Sequence, residues 1–277
     1  MATTEERRTA SGRVRGAARD TVALLALTGA LWLIHVFGRA LPTAVLAAAW
    51  VALAALIARA RFRRARARRA AFLAAYVRRE SPLARRLRGG WLMGAREALL
   101  GGVLALLLAV AVIRLDDPRA WVVLIAAAPI IVLGRLLAAG TLAPHVSATH
   151  LAHLSWRIMG AVVGTAICAV LVTLAFHDAY PDLGSVSLDR AVWHLADQER
   201  ARSAPAEILL KLAGAKDGLR LWLAQQLMPA PGTSLVQGLG WLIVLAEEAV
   251  FVWSYLLLSE GTLIGTSGRS GDDGDSP

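Results

Sequence analysis

Residues 59–88, RARFRRARARRAAFLAAYVRRESPLARRLR, decide how this chain is organised. The stretch holds twelve arginines and one acid, so its net charge of +11 exceeds the +10 of the whole chain. Apolar segments lie on both sides of it. Because short, positively charged loops between membrane spans are retained in the cytoplasm, this stretch predicts a membrane protein and fixes its expected orientation.

The composition of the chain also favours a membrane protein. Hydrophobic residues make up 57% of the sequence, against roughly 45–50% in soluble domains, and the mean hydropathy is +0.55. A pI of 11.1 is also typical of nucleic-acid-binding proteins. An excess charge confined to one segment is explained more simply by membrane orientation and attraction to anionic lipid headgroups. The abundance of arginine and alanine points to a high-GC bacterial genome.

Six apolar segments predict an all-α, polytopic membrane protein with six transmembrane helices. At 1.5 Å per residue, segments of this length suffice to cross most or all of a hydrocarbon layer about 30 Å thick. An even number of spans places both termini on one side, which the arginines make the cytoplasmic side of the inner membrane. The spans are a hairpin in residues 21–58, three helices in residues 91–176 and one helix in residues 235–258.

The segments outside the spans differ in character. Residues 177–234 are predicted to form an extracytoplasmic cap of three amphipathic helices, with Gly214 ending the second. Within the basic segment, the sequence favours a helix that lies along the inner membrane surface. The remaining segments are a flexible N-terminus (residues 1–20), the arginine-rich segment (residues 59–90), a cytoplasmic loop (residues 140–156) and a disordered cytoplasmic tail (residues 259–277).

The arginines nearest to the second span are the predicted binding residues. Guanidinium groups bind phosphate strongly, and each cation near an anionic membrane surface contributes about 1 kcal/mol. The expected ligands are anionic lipid headgroups, with nucleic acid as an alternative. These residues are Arg61, Arg63, Arg64, Arg66, Arg68 and Arg69.

Two adjacent carboxylates, Glu247 and Glu248, lie about twelve residues into the sixth predicted span. An ionised carboxylate near the bilayer centre costs at least about 2.5–3.5 kcal/mol, so such residues face a bundle interior or a watery path. We interpret the two as an ion or proton site. The alternative is a structural hydrogen bond or an ion pair, for which the candidate partners are Arg96, Arg135 and Arg157.

Three histidines between the fourth and fifth spans, His145, His150 and His153, are weak candidates for a metal site. His150 and His153 share a helical face, but His145 joins them only if the chain bends, and no acid or cysteine lies beside them. A structural or pH-responsive loop is favoured instead.

The fifth span carries small residues at four-residue spacing, Gly160, Gly164 and Cys168. Such a face lets another helix approach closely, so it predicts helix packing.

The sequence contains no Walker loop, dinucleotide fingerprint, serine nucleophile elbow or zinc-protease pair, so we expect neither an enzyme nor a cofactor. The leading hypothesis is a channel or transporter-like protein that passes an ion or small solute, as a homo-oligomer or a subunit of a membrane complex. The alternative is a non-catalytic scaffold or assembly subunit that binds anionic lipid, nucleic acid or an acidic partner through its arginines. A hydrated cavity around Glu247 and Glu248 favours transport, and dry pairing favours a scaffold.

Overall fold

The computed structural model describes residues 4–76, 90–177, 181–183, 185–227 and 234–268. All regular secondary structure in these residues is helical, which confirms the predicted all-α class. The helices are α1 (Thr4–Phe37), α2 (Thr43–Tyr76), α3 (Trp91–Ile113), α4 (Pro118–Leu142), α5 (Ala148–His177), α6 (Leu188–Ala196), α7 (Ala204–Leu227) and α8 (Ser234–Gly268).

Five of the described helices are long and apolar enough to cross a membrane, as expected of a multi-pass membrane protein. Only 17–33% of the residues in their most apolar windows are buried inside the fold. Most of these apolar side chains therefore face outward, which is unfavourable in water and suits a hydrocarbon environment. The five segments are Val14–Phe37, Thr43–Leu73, Trp91–Ile113, Pro118–Leu142 and His150–Ala175. The predicted sixth span lies within α8, which is not among the five, and it stays a prediction.

Helix α1 begins at Thr4, so most of the N-terminal segment expected to be flexible is helical. Residues 4–20 are rich in alanine, arginine and glutamate, which are good helix formers. They also continue directly into the apolar part of α1, and extending an existing helix avoids the cost of nucleating a new one.

Helix α2 likewise runs without a break from the apolar residues of the second predicted span into the arginine-rich segment. The basic residues up to Tyr76 therefore continue the axis of the span instead of forming a separate helix on the membrane surface. Residues 77–89, which include the rest of the arginine-rich stretch, lie outside the described residues.

Two further segments are more helical than the sequence predicted. The connection between α4 and α5 is only residues 143–147, so His150 and His153 lie on α5 and not in a loop. Helix α8 continues to Gly268, ten residues beyond the predicted span end, so residues 259–268 belong to that helix and not to a disordered tail. Ser259, Gly261 and Leu263 in this part of α8 are buried, and their packing keeps it helical.

Helix α8 lies at the centre of the bundle, where it packs against α1, α2, α3 and α5. Its buried face contains Tyr255, whose hydroxyl donates a hydrogen bond to the Leu124 carbonyl at 3.1 Å and lies 3.3 Å from Thr28 Oγ1. Small residues let the neighbouring backbones approach. A Cβ atom at Gly261 would collide with the carbonyl oxygen of Leu56 on α2.

The cap contains two helices, α6 and α7, where the sequence predicted three. Gly214, expected to end a helix, lies inside α7 together with Gly218. Both glycines allow α7 to press against α6, because a Cβ at Gly214 would lie 2.7 Å from the Leu195 carbonyl oxygen and one at Gly218 would collide with that of Ala191. Close packing, and not a turn, therefore explains glycine at these positions.

Candidate functional site

Glu247 is paired with two cations of the cap helix α7. Its Oε1 accepts a hydrogen bond from Lys216 Nζ, and its Oε2 lies 2.6 Å from a terminal nitrogen of Arg220. These are not the arginines that the sequence suggested as partners. The carboxylate is 36% exposed, so it lies at the edge of the fold and not in a sealed interior.

The Glu247 pair is one end of a chain of ion pairs across the cap end of the bundle. Glu199 accepts from Arg114 at 2.7 Å and lies 3.1 Å from Arg39. Arg114 also contacts Asp217 at 2.5 Å, and Asp217 lies 3.3 Å from Lys216, which reaches Glu247. The turns after α1 and α3, the cap and α8 are thereby linked by alternating charges.

Arg114 holds the middle of this ion-pair chain, in the turn between α3 and α4. Burial lowers the pKa of its guanidinium, but the carboxylates of Asp217 and Glu199 outweigh that effect and raise the pKa above its ordinary value. Arg114 is therefore held in its charged form, which both carboxylates need as a partner.

Glu248 differs from its neighbour. Its side chain is partly buried, and among the described residues it makes no hydrogen bond or ion pair. It lies near Cys168 on α5, close enough for the two groups to interact electrostatically. Of the two candidate carboxylates, Glu248 is the one whose charge is not directly compensated.

The small-residue face of α5 is used in part for packing against α8. A Cβ at Gly164 would lie 2.9 Å from Leu256 and 3.8 Å from Val252, so this glycine lets the two helices meet. Cys168 packs against the apolar core. A Cβ at Gly160 would meet no described residue within 4 Å, so Gly160 makes no close approach to the described helices.

The arginines of α2 fall on two faces. On the inward face, Arg61 Nε lies 2.9 Å from Glu97 and Arg64 Nε lies 2.5 Å from Glu260, with the Arg64 guanidinium 5.0 Å from the centre of the Trp253 ring. The outward face is formed by arginines at three- and four-residue spacing, which are solvent-exposed. These are Arg59, Arg63 and Arg66.

The two remaining candidates on α2 are Arg68, which lies on the inward side with Arg61 and Arg64, and Arg69. Arg68 is exposed, and Arg69 lies 3.9 Å from the sulfur of Met93 on α3.

Two clefts open beside the inward arginines, at the end of the bundle opposite the cap. The larger has a volume of about 610 Å³ and contains Arg63, Arg64, Arg135 and Glu260. The smaller, of about 210 Å³, lies between α2, α3, α5 and α8. The residues that line the smaller cleft are Arg61, Arg64, Arg68, Glu97, His153, Trp156, Arg157, Trp253 and Leu257.

The three histidines are not assembled into a metal site. Within the part of the chain that the structure describes, no group of three or more histidine, cysteine or acidic side chains is placed to hold a metal ion. His145 lies in the short α4–α5 connection and His150 is exposed, whereas His153 lines both clefts.

Several carboxylates of these sites were missed by sequence reasoning. Glu97 on α3 and Glu260 on α8 pair with the arginine-rich part of α2, and Asp20 on α1 accepts from Arg135 at 2.7 Å. Their common signal is an isolated acid at the boundary of an apolar segment, on the same side as the basic stretch. Each such acid is buried, with at most 13% of its side chain exposed.

Comparison with known proteins adds no assignment: the chain matches no protein-family model, no curated protein and no solved structure.

Proposed function

We propose that this chain is a non-catalytic membrane scaffold that binds anionic lipid headgroups through the outward arginines of α2. The observation that carries the proposal is the division of that helix into two faces. Arg61 and Arg64 are engaged inside the fold, whereas Arg59, Arg63 and Arg66 are exposed along one side. Exposed guanidinium groups next to an apolar helix segment are suited to contact phosphate headgroups, which supports the proposal.

The contents of the bundle support a scaffold over a conduit. Large apolar side chains that are fully buried fill the middle of the described fold, including Leu31, Ile57, Leu108, Leu124 and Tyr255. Buried side chains packed in this way leave little room for a solvated solute. Glu247 is also paired with two cations, which supports a structural role for this carboxylate, although it is 36% exposed and its pairing is not dry.

The proposed orientation places the arginine-rich end, both termini and the loop before α5 in the cytoplasm of the inner membrane, with α6 and α7 outside and α8 as a sixth span. The positive charge of the basic segment supports this arrangement. Cytoplasmic reporters fused after Gly90 and at the C-terminus should be active, and one inserted near Ser203 should report the outside. An external signal from the Gly90 fusion would reverse the map.

Lipid selectivity tests the proposed function directly. The full chain is reconstituted, and the association of spin-labelled phosphatidylglycerol is compared with that of spin-labelled phosphatidylcholine. We expect a preference for phosphatidylglycerol that falls in the triple variant R59Q/R63Q/R66Q, since each surface cation contributes about 1 kcal/mol. Added salt should weaken the preference of the wild type as well.

A matched control removes cations from the other end of the molecule. Arg190 and Arg200 are exposed residues of the cap, so R190Q/R200Q should keep the lipid preference. Equal selectivity for both lipids in the wild type would refute the proposal. If a labelled oligonucleotide then bound with the same dependence on Arg59, Arg63 and Arg66, nucleic acid would replace lipid as the partner.

A second candidate function, the passage of an ion or small solute, is favoured by Glu248. This partly buried carboxylate has no ion-pair partner among the described residues, in a helix where its neighbour Glu247 has two. A carboxylate in that position is suited to binding a cation or proton transiently.

Flux through proteoliposomes separates the two functions. Under the transport hypothesis, Glu248→Gln should abolish or re-select flux while expression and oligomer size stay normal, because glutamine keeps the size of glutamate and removes its charge. Glu247→Gln should instead weaken the contact with α7. Unchanged flux in both single variants and in the double variant would exclude a transport role for these residues.

A further inference from the structure

We propose that the smaller cleft, named here the arginine cleft, is a binding site for one phosphate group, with Arg68 and Arg157 as its direct ligands. The inference rests on the proposed binding of lipid headgroups by the outward arginines. It adds to that role one defined site. The outward arginines attract many headgroups loosely, whereas the arginine cleft would hold a single one.

The charges lining the arginine cleft leave cations available for a ligand. Four arginines and one carboxylate line it. Arg61 is held by Glu97 and Arg64 by Glu260. Neither Arg68 nor Arg157 makes an ion pair with any described residue, and both are exposed at the rim. Two free guanidinium groups at one opening match the acceptor oxygens of a phosphate.

A buried hydrogen-bond donor adds an independent reason. Trp156 is 4% exposed and lines the arginine cleft. Trp156 lines the larger cleft as well, and its buried indole nitrogen points close to the Glu260 carboxylate without a hydrogen bond of ordinary geometry to any described residue. Buried N–H groups in folded proteins nearly always have an acceptor. The nearby Glu260 carboxylate is already held by Arg64, so a ligand oxygen would satisfy this donor better.

The two clefts differ in their suitability for an anion. The larger cleft contains the Glu260 carboxylate, while two of its arginines, Arg64 and Arg135, are already paired with acids. In the arginine cleft, the single lining carboxylate, Glu97, is occupied by Arg61. The smaller cleft therefore retains more positive charge for a ligand.

The walls of the arginine cleft favour a phosphate carried by a lipid. Trp253 and Leu257 form an apolar part of its lining. Trp253 is 47% exposed and Ile158, next to Arg157, is 42% exposed, so the rim continues onto the outward apolar surface of the bundle. A headgroup phosphate can occupy the cleft while its acyl chains lie along that surface. Inorganic phosphate shares the same recognition chemistry but makes no use of the apolar rim.

The test titrates the delipidated full chain in detergent with phosphatidylglycerol, with phosphatidylcholine as a second probe, and resolves bound lipids by native mass spectrometry. We expect one phosphatidylglycerol to bind more tightly than the rest. R68Q/R157Q should weaken that first affinity at least about fivefold per arginine. Trp156→Phe, which keeps the ring and removes the donor, should weaken it without any change in charge. The control R190Q/R200Q should leave it unchanged.

The outcomes distinguish the arginine cleft from the wider proposal. If R59Q/R63Q/R66Q reduces the first affinity as much as R68Q/R157Q does, binding is spread over the surface and the arginine cleft is refuted, while the scaffold function stands. If the wild type does not prefer phosphatidylglycerol to phosphatidylcholine, the proposed function itself fails. Displacement of the first lipid by millimolar inorganic phosphate would support the phosphate site and assign it to a soluble ligand. Unchanged affinity in both R68Q/R157Q and Trp156→Phe would overturn the inference.

Discussion

Arg114 Nε donates a 2.7 Å hydrogen bond to Glu199 Oε1 across 85 positions of the chain, joining the turn after α3 to the loop between the two cap helices. Both side chains are largely shielded, with 20% and 9% exposed. This contact, with Arg39 on the other side of Glu199, fastens the cap to the bundle.

Glu199→Gln should destabilise the protein by about 2 kcal/mol, because Arg114 loses one of its two charged hydrogen-bond partners and keeps only Asp217. Thermal unfolding in detergent, followed by circular dichroism, measures the change. Glu207→Gln is the control, since the Glu207 side chain is 27% exposed, more than that of Glu199, and pairs with Lys211 on its own helix. Equal midpoints for wild type and Glu199→Gln would contradict the role given to this contact.

Gly218→Ala should lower the stability of the cap by about 1–3 kcal/mol, because its Cβ would collide with the Ala191 carbonyl oxygen. Helix propensity alone predicts the opposite sign, a gain of about 1 kcal/mol. Gly140→Ala in α4 isolates that propensity effect, since a Cβ there meets nothing within 4 Å. Denaturant titration measures the change in unfolding free energy for both variants. A stabilised Gly218→Ala would show that α6 and α7 are not tightly packed.

The inward ion pair between Arg64 and Glu260 should tolerate an exchange of its two charges. Arg64→Glu and Glu260→Arg should each destabilise the fold, since each places two like charges together in a buried setting. The double variant should recover part of the loss. A double-mutant cycle on unfolding free energies measures the coupling, and strictly additive losses would mean that the two side chains do not interact.

Asp117 caps α4, with Oδ1 accepting from the Arg119 backbone nitrogen at 2.9 Å. A hydrogen bond from the Arg119 side chain lowers the pKa of Asp117 below its ordinary value of 3.8. The stabilisation from a lowered carboxyl pKa is present above the unfolded value and is lost as the pH falls through the folded one.

Asp117→Ala should therefore cost about 1 kcal/mol at neutral pH. The difference in unfolding free energy between wild type and variant should stay constant as the pH falls to the ordinary carboxyl pKa. Below that pH the difference should decrease. Unfolding measured over a pH series checks this, with Asp116→Ala as the neighbouring control. A gap that widened at low pH would contradict the assigned sign.

The helices were predictable because their signals are local. Each apolar segment of the sequence lies in a helix, and the alternation of alanine and arginine after residue 58 does continue as helix in α2. The wrong predictions concern residues whose local sequence is compatible with two different structures. Gly214 is suited both to ending a helix and to letting two helices touch, and only the position of α6 distinguishes the two.

The partners of the charged residues were less predictable, because they depend on which helices become neighbours. Glu247 was recognised as a costly charge, yet its partners Lys216 and Arg220 lie in a segment expected to form a separate cap. Arg61 and Glu97 are 36 positions apart, on α2 and α3. Their sequence spacing does not indicate that they form an ion pair. Such contacts follow from packing and not from spacing.

Helix α2 is continuous, so its apolar part and its arginine-rich part tilt together. Its 34 residues extend about 51 Å at 1.5 Å per residue, well beyond a hydrocarbon layer of about 30 Å. Because no break separates the apolar half from the arginine-rich half, any tilt of the apolar half tilts the arginine-rich half by the same angle. A thinner bilayer makes long helices tilt. In the proposed lipid-binding role, such a tilt would move Arg59, Arg63 and Arg66 sideways, so that membrane thickness sets where these charges are presented.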